Sequence, residues 1–163
     1  GNTLWTDKNK SEQQYVASYI EDCISGFSDS CAIQGPYTVA AGDVCHLRTD
    51  FTFSLSDIQR LGEFLATLHP TPAVCGLPKQ DAMRFILNNE SESRRYYSGF
   101  MGPIDDDGSA SLYVSLRCME ICGNEYHLHA GGGLIADSEE ESEWNETESK
   151  MQAIRRCFTR KIR

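Results

Sequence analysis

Tyr15, Val16, Tyr19, Ile20, Cys23, Ile24 and Phe27 recur at helical spacing behind Ser11-Glu12-Gln13-Gln14. That tetrad has capping-box form, a hydroxyl at the N-cap and a glutamine three residues later. The pattern predicts an amphipathic helix over about residues 11 to 26. Residues 28 to 42 carry Gly, Pro and Ser and read as a loop with room for one short strand, ahead of strand-like residues 44 to 52. Ser56-Asp57-Ile58-Gln59 repeats the capping-box form, and Ile58, Leu61, Leu65 and Leu68 mark one stripe of a second helix. That helix must stop before His69-Pro70, because a residue ahead of proline is pushed out of the helical region.

Residues 69 to 78 form a stiff loop holding three of the chain's five prolines, and a short helix is expected over about 79 to 89. Three strands follow. Residues 96 to 101 lead into the turn Asp105-Asp106-Asp107-Gly108. Leu112, Val114, Leu116 and Cys118 alternate with Tyr113, Ser115 and Arg117, the period of a half-buried strand. Gly123-Asn124 signals a tight hairpin, from which residues 126 to 135 run back. The last helix spans about 138 to 159, with acids at its start and Lys150, Arg155, Arg156 and Arg160 toward its end, as the helix dipole favours. Its stripe of Trp144, Thr147, Met151, Ile154 and Phe158 is expected to face the core. Neither an internal repeat nor a second domain is visible, so residues 1 to 163 read as one unit.

Composition narrows the function classes. The 163 residues include 24 Asp plus Glu against 15 Lys plus Arg, a formal net charge of −9, with 40 % hydrophobic and 24 % charged residues. That balance belongs to a folded chain able to bury a core without staples. Its acidity argues against a nucleic-acid partner, since phosphate backbones are held by clustered Lys and Arg. No apolar stretch approaches the roughly 20 residues of a spanning helix, so no membrane association is expected. No signal peptide is visible, and Gly1 is compatible with the remnant of a cleaved tag. The seven cysteines are odd in number and contain no Cys-x-x-Cys, and Cys118 and Cys122 lack zinc-knuckle spacing. They read as the reduced, small hydrophobes of a cytoplasmic protein. His127 and His129 share a strand face without a third ligand, so packing or surface use accounts for them.

Four features carry candidate chemistry. Glu143, Glu146 and Lys150 are three and four residues apart and border the apolar stripe of the last helix. Such carboxylates can ligate a hard divalent cation, or they can be a solvated acidic helix start with an ordinary Glu–Lys pair. Glu12 lies above the apolar stripe of the first helix, where it serves the helix dipole or a ligand. Arg117, placed mid-strand, needs an anion if its face is covered and is merely exposed if that face is wet. Ala130-Gly131-Gly132-Gly133 follows a strand directly, so its bare backbone permits close approach of a ligand or a tight bulge. It is not the dinucleotide fingerprint.

Taken in order, these segments resemble the chorismate-utilising enzymes, and within them the isochorismate-forming branch. The resemblance rests on residues 8 to 16 (Lys-Asn-Lys-Ser-Glu-Gln-Gln-Tyr-Val), His46-Leu47-Arg48-Thr49 and residues 69 to 78. It continues through Arg94-Arg95-Tyr96-Tyr97-Ser98-Gly99, Leu116-Arg117-Cys118, residues 130 to 138 and Glu143-Trp144-Asn145-Glu146-Thr147 with Lys150. The resemblance implies that Glu12, Glu143 and Glu146 hold a Mg2+ ion that binds the ring carboxylate of chorismate. It implies that Arg117, Gly131 and Lys150 cradle the substrate's carboxylates, that Ala73 and Val74 wall the reacting ring, and that Tyr97 lies nearby. The implied fold is α+β, a largely antiparallel sheet with helices packed on one side. The family's acid and base precede the matched segment, so no catalytic residue is assigned. The chain is expected to be a C-terminal portion, inactive alone, and prone to self-association through surface exposed by truncation. The implied activity is isochorismate synthesis for menaquinone or a siderophore. The alternatives are a salicylate-, anthranilate- or aminodeoxychorismate-type enzyme, or a non-catalytic binding module on the same fold.

Overall fold

The computed structural model describes residues 5–41, 44–107 and 109–159. The chain divides into two compact units, residues 1–87 and 88–163. The first unit opens with helix α1, Asp7–Ser25, which starts a turn earlier than the hydrophobic pattern indicates. The reason is a reciprocal cap at Thr6: its Oγ1 accepts from Asn9 N at 3.2 Å, while Asn9 Oδ1 accepts from Thr6 N at 3.3 Å. With those amides satisfied, Ser11 lies inside the helix rather than at its cap.

Two long antiparallel strands follow, β1 (Cys31–Ala41) and β2 (Val44–Phe53). The segment read as mostly loop is therefore a strand. Gly35 and Pro36 misled the pattern, because both sit in a bulge where the register shifts between Gln34 and Tyr37. Gly35 has φ +122°, and a Cβ there would fall 2.6 Å from Arg48 O, so only glycine fits. Gln13 Nε2 donates to Thr49 Oγ1 at 3.0 Å, tying α1 to β2.

The second predicted helix is a 3-10 turn, Ile58–Arg60, continued by α2, Leu61–Leu68. Asp57, not Ser56, caps it by accepting from Gln59 N at 2.9 Å. Ser56 Oγ instead donates to Phe27 O at 3.1 Å. The helix ends where proline requires, with His69 extended at φ −92°, ψ 142°. The core is Ile24, Phe27 and Phe64, with Phe51, Phe53, Leu55, Leu65 and Leu68 packed around it. Phe64 meets Phe27 edge-on at 5.4 Å and Phe53 at 5.3 Å. Ile58, predicted on the apolar stripe, is 66 % exposed. After the proline-rich loop, α3 spans Lys79–Asn89, the helix expected there.

In the second unit, β3 (Phe100–Met101) pairs with β4 (Tyr113–Val114), and β5 (Met119–Cys122) pairs with β6 (Glu125–Leu128). The β5–β6 hairpin turns at Gly123-Asn124, with Gly123 at φ +63°, as predicted. The strand predicted over residues 112 to 118 is broken: Arg117 takes φ +50°, which no ladder can follow. The return strand likewise stops at Leu128, and residues 129 to 135 carry no regular structure. Helix α4, Glu140–Thr159, closes the unit. Its predicted core stripe is reversed at both ends, since Trp144 and Phe158 are exposed while Glu143 is buried. Among the described residues all three ladders are antiparallel, which bears out the expected mixture of helices and antiparallel sheet.

The core assignment is testable by urea unfolding. Phe64→Ala should cost about 3–5 kcal/mol. Trp144→Ala, at an exposed site, should stay within about 0.5 kcal/mol of the unsubstituted chain.

Candidate functional site

The second unit holds six of the nine residues singled out from sequence, and five of them, Tyr97, Gly131, Glu143, Glu146 and Lys150, gather. Their meeting point is the glycine run after β6. A methyl group built on Gly132 would stand 3.4 Å from Glu143 Oε2, 3.8 Å from Glu146 Oε1 and 3.9 Å from Lys150 Nζ. The three side chains reach it because they lie on successive turns of one α4 face. Lys150 Nζ pairs with the Glu146 carboxylate and donates to Gly131 O at 3.0 Å. The helix thereby grips the glycine backbone through a charged donor.

Tyr97 supports Gly131 on its other side. A Cβ on Gly131 would fall 2.5 Å from Tyr97 Oη, so a side chain there would displace the ring. Tyr97 stacks on His129 at 5.6 Å with the rings 18° apart. The Nε2 of His129 is buried and makes no hydrogen bond. Burial pushes the Tyr97 hydroxyl above the ordinary tyrosine range, opposed by the charges of Arg94 and Arg117 and by a bond from Ser98. Arg117 itself is exposed, and its charge still reaches Tyr97. It also lines a cavity of about 430 Å³ with Met119, Ala153, Ile154, Cys157 and Phe158.

The first unit holds the other three candidates. Glu12 is half-buried in α1, its Oε1 without a hydrogen bond and 3.6 Å from Lys8 Nζ. Ala73 is exposed and Val74 half-buried in the proline-rich loop, where Val74 N donates to Thr71 O at 3.1 Å.

Two groups near these sites are already committed. Glu90 accepts from Arg94 Nε at 2.7 Å and Nη2 at 2.5 Å, and this pairing holds its carboxyl below the usual carboxylate range. Lys79 donates to three oxygens at once. Sequence reasoning missed the stacking role of His129 and the use of Gly132 rather than Gly131 as the meeting point. The spacing of His129 two residues before the glycines was the available signal, but periodicity cannot show what a ring stacks on.

Chemically, the α4 face offers hard oxygen donors suited to a divalent cation, beside an ammonium and bare backbone suited to an anion. Among the described residues, no group of three or more His, Cys, Asp or Glu side chains forms a metal-holding cluster. Glu143 and Glu146 are thus a pair, and octahedral coordination would need further oxygen ligands. No helix among the described residues is long and apolar enough to cross a membrane.

An antiparallel α+β chain with acids and a lysine on a glycine-rich strand exit is the class these observations define. The family model for the chorismate binding enzymes matches residues 1–159, and the chain belongs to that family. It is 33 % identical over 153 residues to the salicylate biosynthesis isochorismate synthase of Pseudomonas aeruginosa, covering 93 % of this chain and 32 % of that protein. It is 35 % identical over 153 residues to the vibriobactin-specific isochorismate synthase of Vibrio cholerae, covering 93 % and 39 %. Among solved structures, the menaquinone-specific isochorismate synthase MenF of Escherichia coli matches with a TM-score of 0.83 at 32 % identity, over 92 % of this chain and 35 % of that one. DhbC of Bacillus anthracis, assigned as a 2,3-dihydroxybenzoate-specific isochorismate synthase, matches with a TM-score of 0.88 at 28 % identity, over 96 % and 42 %. The chain therefore spans about a third to two-fifths of the length of these relatives.

Because the folded Tyr97 pKa is raised, its contribution to stability is complete below the unfolded value of about 10 and is lost as pH rises through the folded value. Thermal midpoints taken on either side of about pH 10 should fall more steeply for the unsubstituted chain than for Tyr97→Phe. Equal slopes would remove Tyr97 from the buried side of the site.

Proposed function

We propose that this chain supplies the metal- and carboxylate-binding part of a magnesium-dependent enzyme that converts chorismate to isochorismate. Family membership and the printed activities of its relatives support this reading. The observation that carries it is the convergence of Glu143, Glu146 and Lys150 on Gly132. Glu143 and Glu146 would hold Mg2+ together with Glu12, whose buried Oε1 lacks a hydrogen bond. The ion, when bound, supplies positive charge that neutralises a ring carboxylate. Lys150, the Gly131 backbone and Arg117 would receive the remaining carboxylate, with Tyr97 keeping the glycine segment in place. Ala73 and Val74 would present a small apolar wall to the ring. Relatives of both menaquinone and siderophore type make either route the destination of the product.

The reaction adds water at one ring carbon and expels hydroxide at another, so it needs a base and an acid. Glu90 is unsuited to donate a proton while Arg94 keeps it ionised, and Lys79 is unsuited to accept one. The chain alone is therefore inactive in this reading. Purified chain with chorismate and Mg2+ should yield no isochorismate by chromatography, and measurable product would overturn that expectation. Calorimetry should still detect chorismate binding that strengthens with Mg2+. Lys150→Met should weaken it by about tenfold or more, the scale of one charged hydrogen bond. Binding indifferent to both Mg2+ and Lys150 would sink the assignment.

Exposed Ile121, Tyr126 and Phe158 support self-association of this chain, as large apolar side chains rarely cluster on a monomer's surface. Light scattering is expected to show species larger than one chain, and a clean monomer would contradict it.

A further inference from the structure

Lys79, the first residue of α3, occupies an unusual position in the first unit. Its Nζ donates to Tyr19 Oη at 2.9 Å, to Thr67 O at 2.8 Å and to His69 O at 2.9 Å. Tyr19 Oη in turn donates to Thr67 O at 2.7 Å. The ammonium thus reaches three oxygens, two of which, Tyr19 Oη and Thr67 O, are themselves hydrogen-bonded neighbours. Two of the acceptors are carbonyls at the C-terminal end of α2, which lack partners within the helix and carry the negative end of its dipole. The third belongs to α1.

The chain between His69 and Lys79 is the proline-rich loop, so this one side chain ties its exit to its entrance. Inside the loop, Val74 N and Cys75 N both donate to Thr71 O at 3.1 Å, forming one tight turn that carries Ala73. Holding the ends of such a loop together opposes its conformational entropy, and a single residue that bonds both adjoining helices does so at one point. We propose that Lys79 is a positioning residue, whose ammonium fixes the loop bearing Ala73 and Val74 against α1 and α2. The functional sense of the clamp rests on reading Ala73 and Val74 as the wall of the substrate site. Burial and then the Lys79 charge hold the imidazole of His69 below its ordinary range beside the clamp.

Hydrogen exchange on the full chain tests this. Lys79→Met should speed exchange at the Val74 and Cys75 amides by about tenfold or more, while Ile24 and Phe64 amides in the core stay within about threefold. Lys79→Arg, which keeps charge and donors, should retain most of the protection. Unchanged rates at Val74 and Cys75, or an equal rise in the core amides, would overturn the proposal. Were Lys79→Met not to fold, Tyr19→Phe removes one acceptor and should speed the same two amides by about threefold, with no change counting against the clamp. A chorismate titration run alongside separates the two readings. Loss of chorismate binding by the unsubstituted chain defeats the substrate assignment and leaves the exchange pattern standing, whereas an exchange pattern indifferent to Lys79 defeats the clamp alone.

Discussion

The second unit depends on a carboxylate placed where water barely reaches it. Glu143 is 8 % exposed and lies less than a turn from Glu146. Removing a charge from water costs several kcal/mol unless it is compensated, and a second carboxylate nearby raises the cost. Two compensations are visible. Glu143 stands in the first turn of α4, where the helix dipole favours negative charge. One turn beyond Glu146, Lys150 pairs with that residue and binds the Gly131 carbonyl. The consequence reaches beyond electrostatics, because the lysine that balances the acids also fixes the glycine segment against the helix.

The glycine segment is held from its other side by a stretch of constrained backbone. Arg95 and Ser98 flank Tyr97 with φ of 47° and 66°, in the region that favours glycine. Each such residue costs roughly 1–2 kcal/mol, so two around one tyrosine require support from elsewhere. Ser98 N donates to Ser115 O at 2.9 Å and Arg94 Nη1 reaches Ser98 Oγ at 3.3 Å, while Arg95 Nη1 binds Glu120 Oε2 at 2.7 Å. These bonds determine where the Tyr97 ring stands, and the ring in turn leaves no room for a side chain at residue 131. Strain, stacking and bare backbone thus act as one device.

Much of this was legible in the sequence, and the larger failures have physical causes. Helix α4, strand β2 and the Gly123 hairpin follow from patterning and turn chemistry, which are local. Glu143, Glu146 and Lys150 were found because helical spacing alone places them on one face. The strand at Cys31–Ala41 was hidden because Gly35 and Pro36 look like loop residues until a bulge houses them. Arg117 looked like mid-strand because alternation cannot reveal a left-handed residue. Trp144, expected to face the core, is exposed, while Glu143 at the border of that stripe is buried, because hydrophobicity alone does not decide which face of a helix packs. The strand and burial misses lie where a long-range contact decides, whereas the Thr6 and Asp57 caps are local choices among neighbouring candidates.

Holding an anion and moving a proton make opposite demands on a side chain. Recognition is served by groups of fixed charge whose direction is set by hydrogen bonds to the protein. Proton transfer needs a group whose pKa lies near the working pH and whose reacting atom has a free site. Lys79 and Lys150 both meet the first demand: one donates to three oxygens, the other to a carboxylate and a backbone carbonyl. Glu90, bridged to Arg94 by two bonds, is likewise fixed in charge. These ammonium and carboxylate groups are arranged to set positions, whether of a loop, a glycine backbone or a ligand. Side chains bonded in this way set positions rather than exchange protons, because proton transfer asks for a reacting atom with a free site.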